Sequence, residues 1–313
     1  MKKFAFIALS LSLFSTAVFA KNITLKETFN NKIETINISL YSEQLKVIQN
    51  SGSDFSIEID CNHKKYQPKV SYNNGEIRIK ATRHVNIASI YICKIELSIP
   101  QNYKFDAINI ESASGKISIE QLSAEEINIS SISGAIEANS LSADFEANVH
   151  STSGSLELKE IKGDEVNIAT TSGSIDIDKV EAIETSFASV SGSIGLNCLD
   201  GESLDVHSVS GSQKLYDIFC DYFNLHAVSG SIALELADAP TASSEISTSS
   251  GSVRLYLQNN KGFDLSFETG SGSFKDKLTS NNFSPRKNFK ASYFGGGPEI
   301  SIKTGSGSLE LSK

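Results

Sequence analysis

The sequence predicts an all-β chain, a single-domain parallel β-solenoid with coils of 19–21 residues. Three observations carry that expectation. The dipeptide Ser-Gly recurs at a nearly fixed interval. The residues around it alternate between apolar and polar with period two. The apolar content rests on Ile, Leu, Val, Ala and Phe, with no Trp and a single Met. A fixed period near twenty is the signature of stacked repeats, each burying its face against its neighbours. Such a repeat holds two or three short strands and their corners but not a strand and a helix of about ten residues, which excludes a βαβ unit.

The repeat glycines are Gly115, Gly134, Gly154, Gly173, Gly192, Gly211, Gly230, Gly251, Gly272 and Gly307, and from residue 153 onward each stands in Ser-Gly-Ser. Two residues after the Gly, Ile117, Ile136, Leu156, Ile175 and Ile194 open a column that is interrupted at Gln213. Four residues after it, Ile119, Leu158, Ile177 and Leu196 belong to a second column, which ends with Asp276 and Leu311. Five residues before it every repeat is apolar, from Ile110 to Ile302. Each repeat therefore reads as two short strands joined by tight turns, apolar columns inside. The corner is expected to be left-handed, because Gly alone enters that backbone region without a Cβ penalty. Ser or Thr stands three residues before the Gly in nine repeats, from Ser112 to Thr304. By parity these hydroxyls face inward, where they are expected to bond corner backbone groups rather than to form a catalytic or ice-binding array.

The remaining elements follow in chain order. Lys2 and Lys3, the apolar run Phe4 to Phe14 and the small-residue end Val18-Phe19-Ala20 read as a signal peptide over residues 1–20, cleaved after Ala20. No Cys follows that site to carry a lipid anchor. Without the leader the chain has 26 basic and 37 acidic side chains, a net charge of −11, which argues against nucleic acid as partner. Nothing downstream reaches about 18 uninterrupted apolar residues, so no transmembrane helix is expected in the mature chain. Residues 21–107 read as irregular N-terminal coils or a cap, with strand-like runs from Ile33 to Leu40 and from Ile90 to Ile99. Residues 108–313 are the regular repeats, with an insertion at 278–297 that carries Arg286, Lys287 and Lys290 and reads as a solvated excursion.

Four cysteines in an exported chain suggest disulfides, free buried thiols being the alternative. Cys61–Cys93 and Cys198–Cys220 are the preferred pairs, because each lies within reach of neighbouring coils while Cys61 and Cys198 are several coils apart. The absence of CxxC spacing argues against zinc.

Any chemistry would have to stand in the outward columns. Three residues after the Gly stand Glu137, Glu157 and Asp176, then Gly195, Lys214, Ala233, Arg254 and Lys275. Stacked carboxylates can bind a cation or form the acid pair of polysaccharide cleavage, but a solvated face explains the same residues. His150, His207 and His226 share the column four residues before the Gly, where His207 and His226 could chelate a metal but lack a third ligand. Tyr216 and Tyr256 lie two coils apart. No nucleophile elbow, zinc-protease, phosphate-loop or dinucleotide motif is present.

The leader, the (Ser/Thr)-x-Ser-Gly-Ser-(Ile/Leu)-x-(Ile/Leu) coils and the terminal Phe294-Gly295-Gly296-Gly297, Ile300-Ser301-Ile302 and Ser306-Gly307-Ser308 resemble bacterial adhesin-like proteins of the DUF4097 type. They are also similar to the related autotransporter-adhesin head domain. The resemblance covers residues 30 to 313, most specifically 108 to 274. It implies a single-stranded, right-handed β-helix at the cell envelope and brings no catalytic residues to carry over. No C-terminal membrane-barrel pattern is seen, so self-export is not expected. The sequence thus points to an exported, non-enzymatic envelope protein, in the periplasm, on the cell surface or secreted. It would bind an envelope, glycan or protein partner through an elongated surface, with no catalytic, metal or cofactor residues. The alternative is a β-helix polysaccharide lyase or hydrolase using Glu137, Glu157 and Asp176.

Overall fold

A computed structural model describes residues 23–29, 32–82, 91–279 and 288–313. The leader with its cleavage site after Ala20, and Arg286 and Lys287 of the insertion, lie outside the described residues. Apart from one 3-10 turn at Lys64–Tyr66, every regular element described is a strand.

Four coils are each one bent strand: Ile117–Ser131, Ile136–Ser151, Leu156–Thr170 and Ile175–Ser189. They pair in parallel, each residue on its counterpart one period away, as in Ile136 on Leu156 and Leu156 on Ile175. The following coils split into two strands, Ile194–Leu196 with Leu199–Ser208 and Gln213–Phe219 with Tyr222–Ala227, without losing register. The period-two alternation places Ile, Leu, Val and Phe in one continuous buried core along the axis.

The corner differs from expectation. Among the described glycines only Gly75, Gly295 and Gly296 have positive φ, so the repeat corners are not left-handed. What excludes a side chain there is close approach. A Cβ built on Gly134 would lie 2.8 Å from the Gly115 carbonyl carbon, and one on Gly154 would lie 2.6 Å from that of Gly134. The glycines form a stack in which each Cα sits under the preceding coil's carbonyl, from Glu43 through Gly115 to Gly251. The buried Ser/Thr column completes the corner. Ser189 Oγ accepts from Gly192 N at 2.9 Å and donates to Gly192 O at 2.8 Å, and Thr170 and Thr248 accept from Gly173 and Gly251 in the same way.

Spatial order departs from chain order at both ends. The first coil, Thr35–Leu40 and Gln44–Asn50, lies between the coil of Glu76–Lys80 and Cys93–Pro100 and the coil that begins at Phe105–Ser112. The last coil, Glu299–Thr304 and Leu309–Ser312, lies between the coil of Ser244–Thr248 and Val253–Leu257 and that of Phe263–Thr269 and Phe274–Asp276. Antiparallel strands close the ends: Ile23–Phe29, Phe55–Cys61 and Lys69–Asn73 at one, Asn288–Tyr293 at the other. The insertion at 278–297 therefore supplies a capping strand rather than a free excursion.

Cys61 and Cys93 stand opposite each other in the antiparallel pair of Phe55–Cys61 with Cys93–Pro100 and are disulfide-bonded. The expected Cys198–Cys220 bridge is absent: both are free thiols. Leu199 pairs with Ile218, so Cys198 lies against Asp217 and Cys220 is three positions further along the chain, just past the end of Gln213–Phe219. Three positions are about 10 Å of strand, beyond the roughly 7 Å Cα limit of a disulfide. Among the described residues no helix is long and apolar enough to cross a membrane.

Candidate functional site

The coils present their outward columns as flat faces on either side of the corner. On the face that follows it, Glu137, Glu157 and Asp176 stand in register on successive coils, about 4.8 Å apart. They edge a shallow groove of about 410 Å³ that reaches Gly195 and Asn197. Glu137 is ion-paired with Lys116, and Asn197 donates to Asp178 at 3.0 Å. A glycosidase needs its two carboxyls on opposite sides of a sugar linkage, the acid one desolvated. Here all three point the same way from one flat sheet, with Glu157 and Asp176 exposed. Nor do they converge on a cation: among the described residues no group of three or more His, Cys, Asp or Glu could hold a metal ion.

The histidine column is real but does not converge either. His207 and His226 are register neighbours with ring centroids 5.9 Å apart. Their ring nitrogens engage different partners, His207 Nε2 with Asp205 Oδ1 at 2.8 Å and His226 Nδ1 with Ser247 Oγ at 2.8 Å. His150 lies three coils from His207. Tyr216 is exposed and Tyr256 half-buried. Lys290 of the insertion lies 3.6 Å from Glu299.

On another face, Lys162 and Lys179 of adjacent coils pair with Glu160 and Glu181. Hydrogen bonds from Lys162 and then Lys179 hold the Glu181 carboxyl below its ordinary value. These charges neutralise one another locally and leave nothing poised for proton transfer.

The face that precedes the corner holds what the sequence reading passed over. One column is an amide ladder, in which Asn109 donates to Asn37 at 3.0 Å, Asn128 to Asn109 at 3.1 Å and Asn148 to Asn128 at 2.8 Å. Beside it, two residues before each Gly, runs an exposed ridge: Ile132, Thr152, Thr171, Val190, Val209 and Val228. A groove of about 650 Å³ separates this ridge from Ser130, His150, Ala169 and Ala188. From the Gly134 coil to the Gly251 coil, neither the ridge nor the column four residues before the Gly contains Asp, Glu, Lys or Arg. Seven coils at about 4.8 Å give a strip about 29 Å long with no carboxylate, ammonium or guanidinium group, on a chain that is one-fifth charged. The signal was present at the variable position of (Ser/Thr)-x-Ser-Gly, where β-branched residues recur although the side chain points to solvent.

The model of the Toastrack DUF4097 family matches residues 33–312. No curated protein matches the chain. Similar solved structures include a candidate adhesin from Bacteroides fragilis NCTC 9343, 10% identical, covering 93% of this chain and 98% of that one at a TM-score of 0.39. Another is a candidate adhesin from Parabacteroides merdae ATCC 43184, 15% identical, with 94% and 98% covered and a TM-score of 0.41. A candidate lipid-binding protein from Parabacteroides distasonis ATCC 8503 is 16% identical, with 93% and 97% covered and a TM-score of 0.39.

Proposed function

This chain belongs to the Toastrack DUF4097 family, and from that premise we propose that it is an exported, non-enzymatic binding protein of the cell envelope. It works in an adhesin-like way, by presenting the uncharged strip to an extended partner, an envelope glycan or a protein surface of the same character. The observation that carries this reading is the strip itself. An exposed row of methyl and hydroxyl groups repeated at one spacing offers many weak, equivalent contacts, and affinity then comes from their number rather than from one pocket. Burying it costs little desolvation, because no carboxylate, ammonium or guanidinium has to leave water. Export is supported by the tripartite leader at residues 1–20.

The test uses the purified protein and isolated envelope preparations or intact cells, with binding read by co-sedimentation. Val190→Asp should weaken binding a few-fold, and Thr171→Asp, Val190→Asp and Val209→Asp together should abolish it. Fractionation and intact-mass measurement should find an envelope protein that begins at Lys21. Undiminished binding by the triple variant would refute the strip. Polysaccharide turnover that Glu137→Gln or Glu157→Gln abolishes would replace binding by catalysis.

A further inference from the structure

The face that follows the corner, distinct from the uncharged strip, carries charges whose order is complementary to itself. Its outward column runs Glu137, Glu157, Asp176, Gly195, Lys214, Ala233 and Arg254, one residue per coil in unbroken parallel register. Reversed about Gly195, this order sets Asp176 against Lys214, Glu157 against Ala233 and Glu137 against Arg254. The column two residues further on, reversed about Asn197, sets Lys159 against Glu235, Asp178 against Tyr216 and Asn139 against Tyr256. Over these seven coils every full charge then meets an opposite charge or a neutral side chain; beyond them Ser118 meets Glu310 and Lys46 meets Lys275, so the complementary contact ends at Glu137 and Arg254.

We propose that the protein self-associates through this face as a two-fold dimer whose dyad runs parallel to the strands over Gly195. Rotation about that axis lays each column on its own copy with the coil order reversed, so each complementary pair occurs twice. Three further observations support the arrangement. The charges are available: Lys159, Asp176, Lys214 and Arg254 are exposed, and none is ion-paired among the described residues. The shapes fit, because the acidic half is the groove of about 410 Å³ while the other half carries the long exposed side chains of Lys214, Tyr216 and Arg254. And Gly195 is a glycine the fold does not demand. Its Cβ would be 3.0 Å from the movable Asp176 carboxylate and 3.7 Å from the nearest backbone atom, with no positive φ. A missing side chain on the dyad lets two faces approach closely.

A second copy is the fitting occupant because it supplies both the coil pitch and the reversed charge order. Seven coils of five-residue strand cover about 29 by 17 Å, on the order of 1,000 Å² for both partners together, at the low end for a specific interface. The dimer is therefore a reversible one.

Analytical ultracentrifugation of the full-length mature chain over a concentration series tests this. The wild type should show a monomer–dimer equilibrium. Lys214→Asp places two like-charge pairs in the interface and should weaken it at least about tenfold, as should Asp176→Lys. Asp176→Lys with Lys214→Asp restores opposite charges across the dyad and should return association to near the wild-type level. In a Cys198→Ser background, Asn197→Cys should form a disulfide-linked dimer on mild oxidation and Asn139→Cys should not. A strictly monomeric wild type, a charge-swapped double variant no better than the single ones, or equal cross-linking at the two positions would overturn the proposal. These results are independent of partner binding by the uncharged strip.

Discussion

Gly192→Ala should be among the most damaging single-methyl changes in the protein, and the structure gives the size. A Cβ at Gly192 would lie 2.5 Å from the Gly173 carbonyl carbon, closer still to its oxygen, and 3.1 Å from Ser174 N. These are backbone atoms within a ladder, so relief requires the two coils to part at the corner. The inter-coil bonds there are Ser191 N to Thr171 O at 2.9 Å, Val190 N to Thr170 O at 3.3 Å and Ile175 N to Ser193 O at 2.9 Å. Losing about three such bonds at roughly 1 kcal/mol each, with residual strain added, gives about 3–5 kcal/mol. Gly195→Ala is the control, since its Cβ meets only the movable Asp176 carboxylate at 3.0 Å before ordinary contacts, and it should stay within about 1 kcal/mol of wild type. Gly192→Asn separates the two accounts of the corner: a left-handed corner tolerates Asn, whereas close approach excludes it as firmly as Ala. Urea unfolding followed by far-UV circular dichroism gives the midpoints at constant slope. If Gly192→Ala and Gly195→Ala unfold at the same midpoint, or Gly192→Asn is tolerated, the close-approach argument fails.

Two further outcomes are expected. Reducing Cys61–Cys93, whose partners are separated by 32 residues, should lower stability by about 3–4 kcal/mol on the loop-entropy estimate, read from thermal melts with and without a phosphine reductant. Burial, then Asp221, pushes the Cys220 thiol up to about 12 from an ordinary 9.0, so the unfolded chain loses that proton first. Its contribution to stability should be complete below about pH 9 and decline towards pH 12, and alkylation at pH 8.5 should label Cys198 well before Cys220 in the folded protein. Equal labelling rates would contradict that burial.

What could be read from the sequence was whatever a residue type reports uniquely. The alternation of Ile, Leu and Val fixes inside and outside, so the core columns lie where the spacing puts them. The Ser/Thr column bonds the corner as parity and turn chemistry predict, with Ser131 the exception. The Gly column locates the corner but not its conformation, because positive φ and close backbone approach both demand Gly. Strand order at the ends was illegible for a different reason: Ile300 and Ile302 suit any slot in a uniform stack, and only the antiparallel strand Asn288–Tyr293 shows which one is left. Gln213 stands in an Ile/Leu column yet is fully buried, donating to Ser208 Oγ at 3.1 Å and to the His226 carbonyl at 2.7 Å. It does so beside Ala227, the one position in the corner column without a hydroxyl, a compensation between coils that no single repeat reveals. The uncharged strip escaped because it is defined by what its positions lack.

Two departures from the repeat, one near each end of the stack, solve the same physical problem in the same way. Inside the stack corner amides such as those of Gly173, Gly192 and Ser191 find a hydroxyl in their own coil or a carbonyl in the neighbouring one; at these two positions a carboxylate takes that part. At one end Glu43 takes the place of the repeat Gly, fully buried, its carboxylate accepting from Tyr41 N at 2.7 Å and Ser42 N at 3.0 Å, with the Tyr91 hydroxyl at 3.3 Å. At the other Asp276 takes the place of the Leu column, accepting from Leu278 N at 2.8 Å, Thr279 N at 3.2 Å and the Tyr293 hydroxyl at 3.0 Å. Burial, then the neighbouring carboxylate, raises both tyrosines above their ordinary value, which keeps each hydroxyl a donor. A carboxylate can take several amides at once, which a serine cannot, and the tyrosine ring covers it from water. The departures from the repeat at Glu43 and Asp276 thus follow from one rule: the same requirement that buried backbone groups find a partner produces Ser-Gly-Ser within the stack and an acid with a tyrosine where the pattern breaks near its ends.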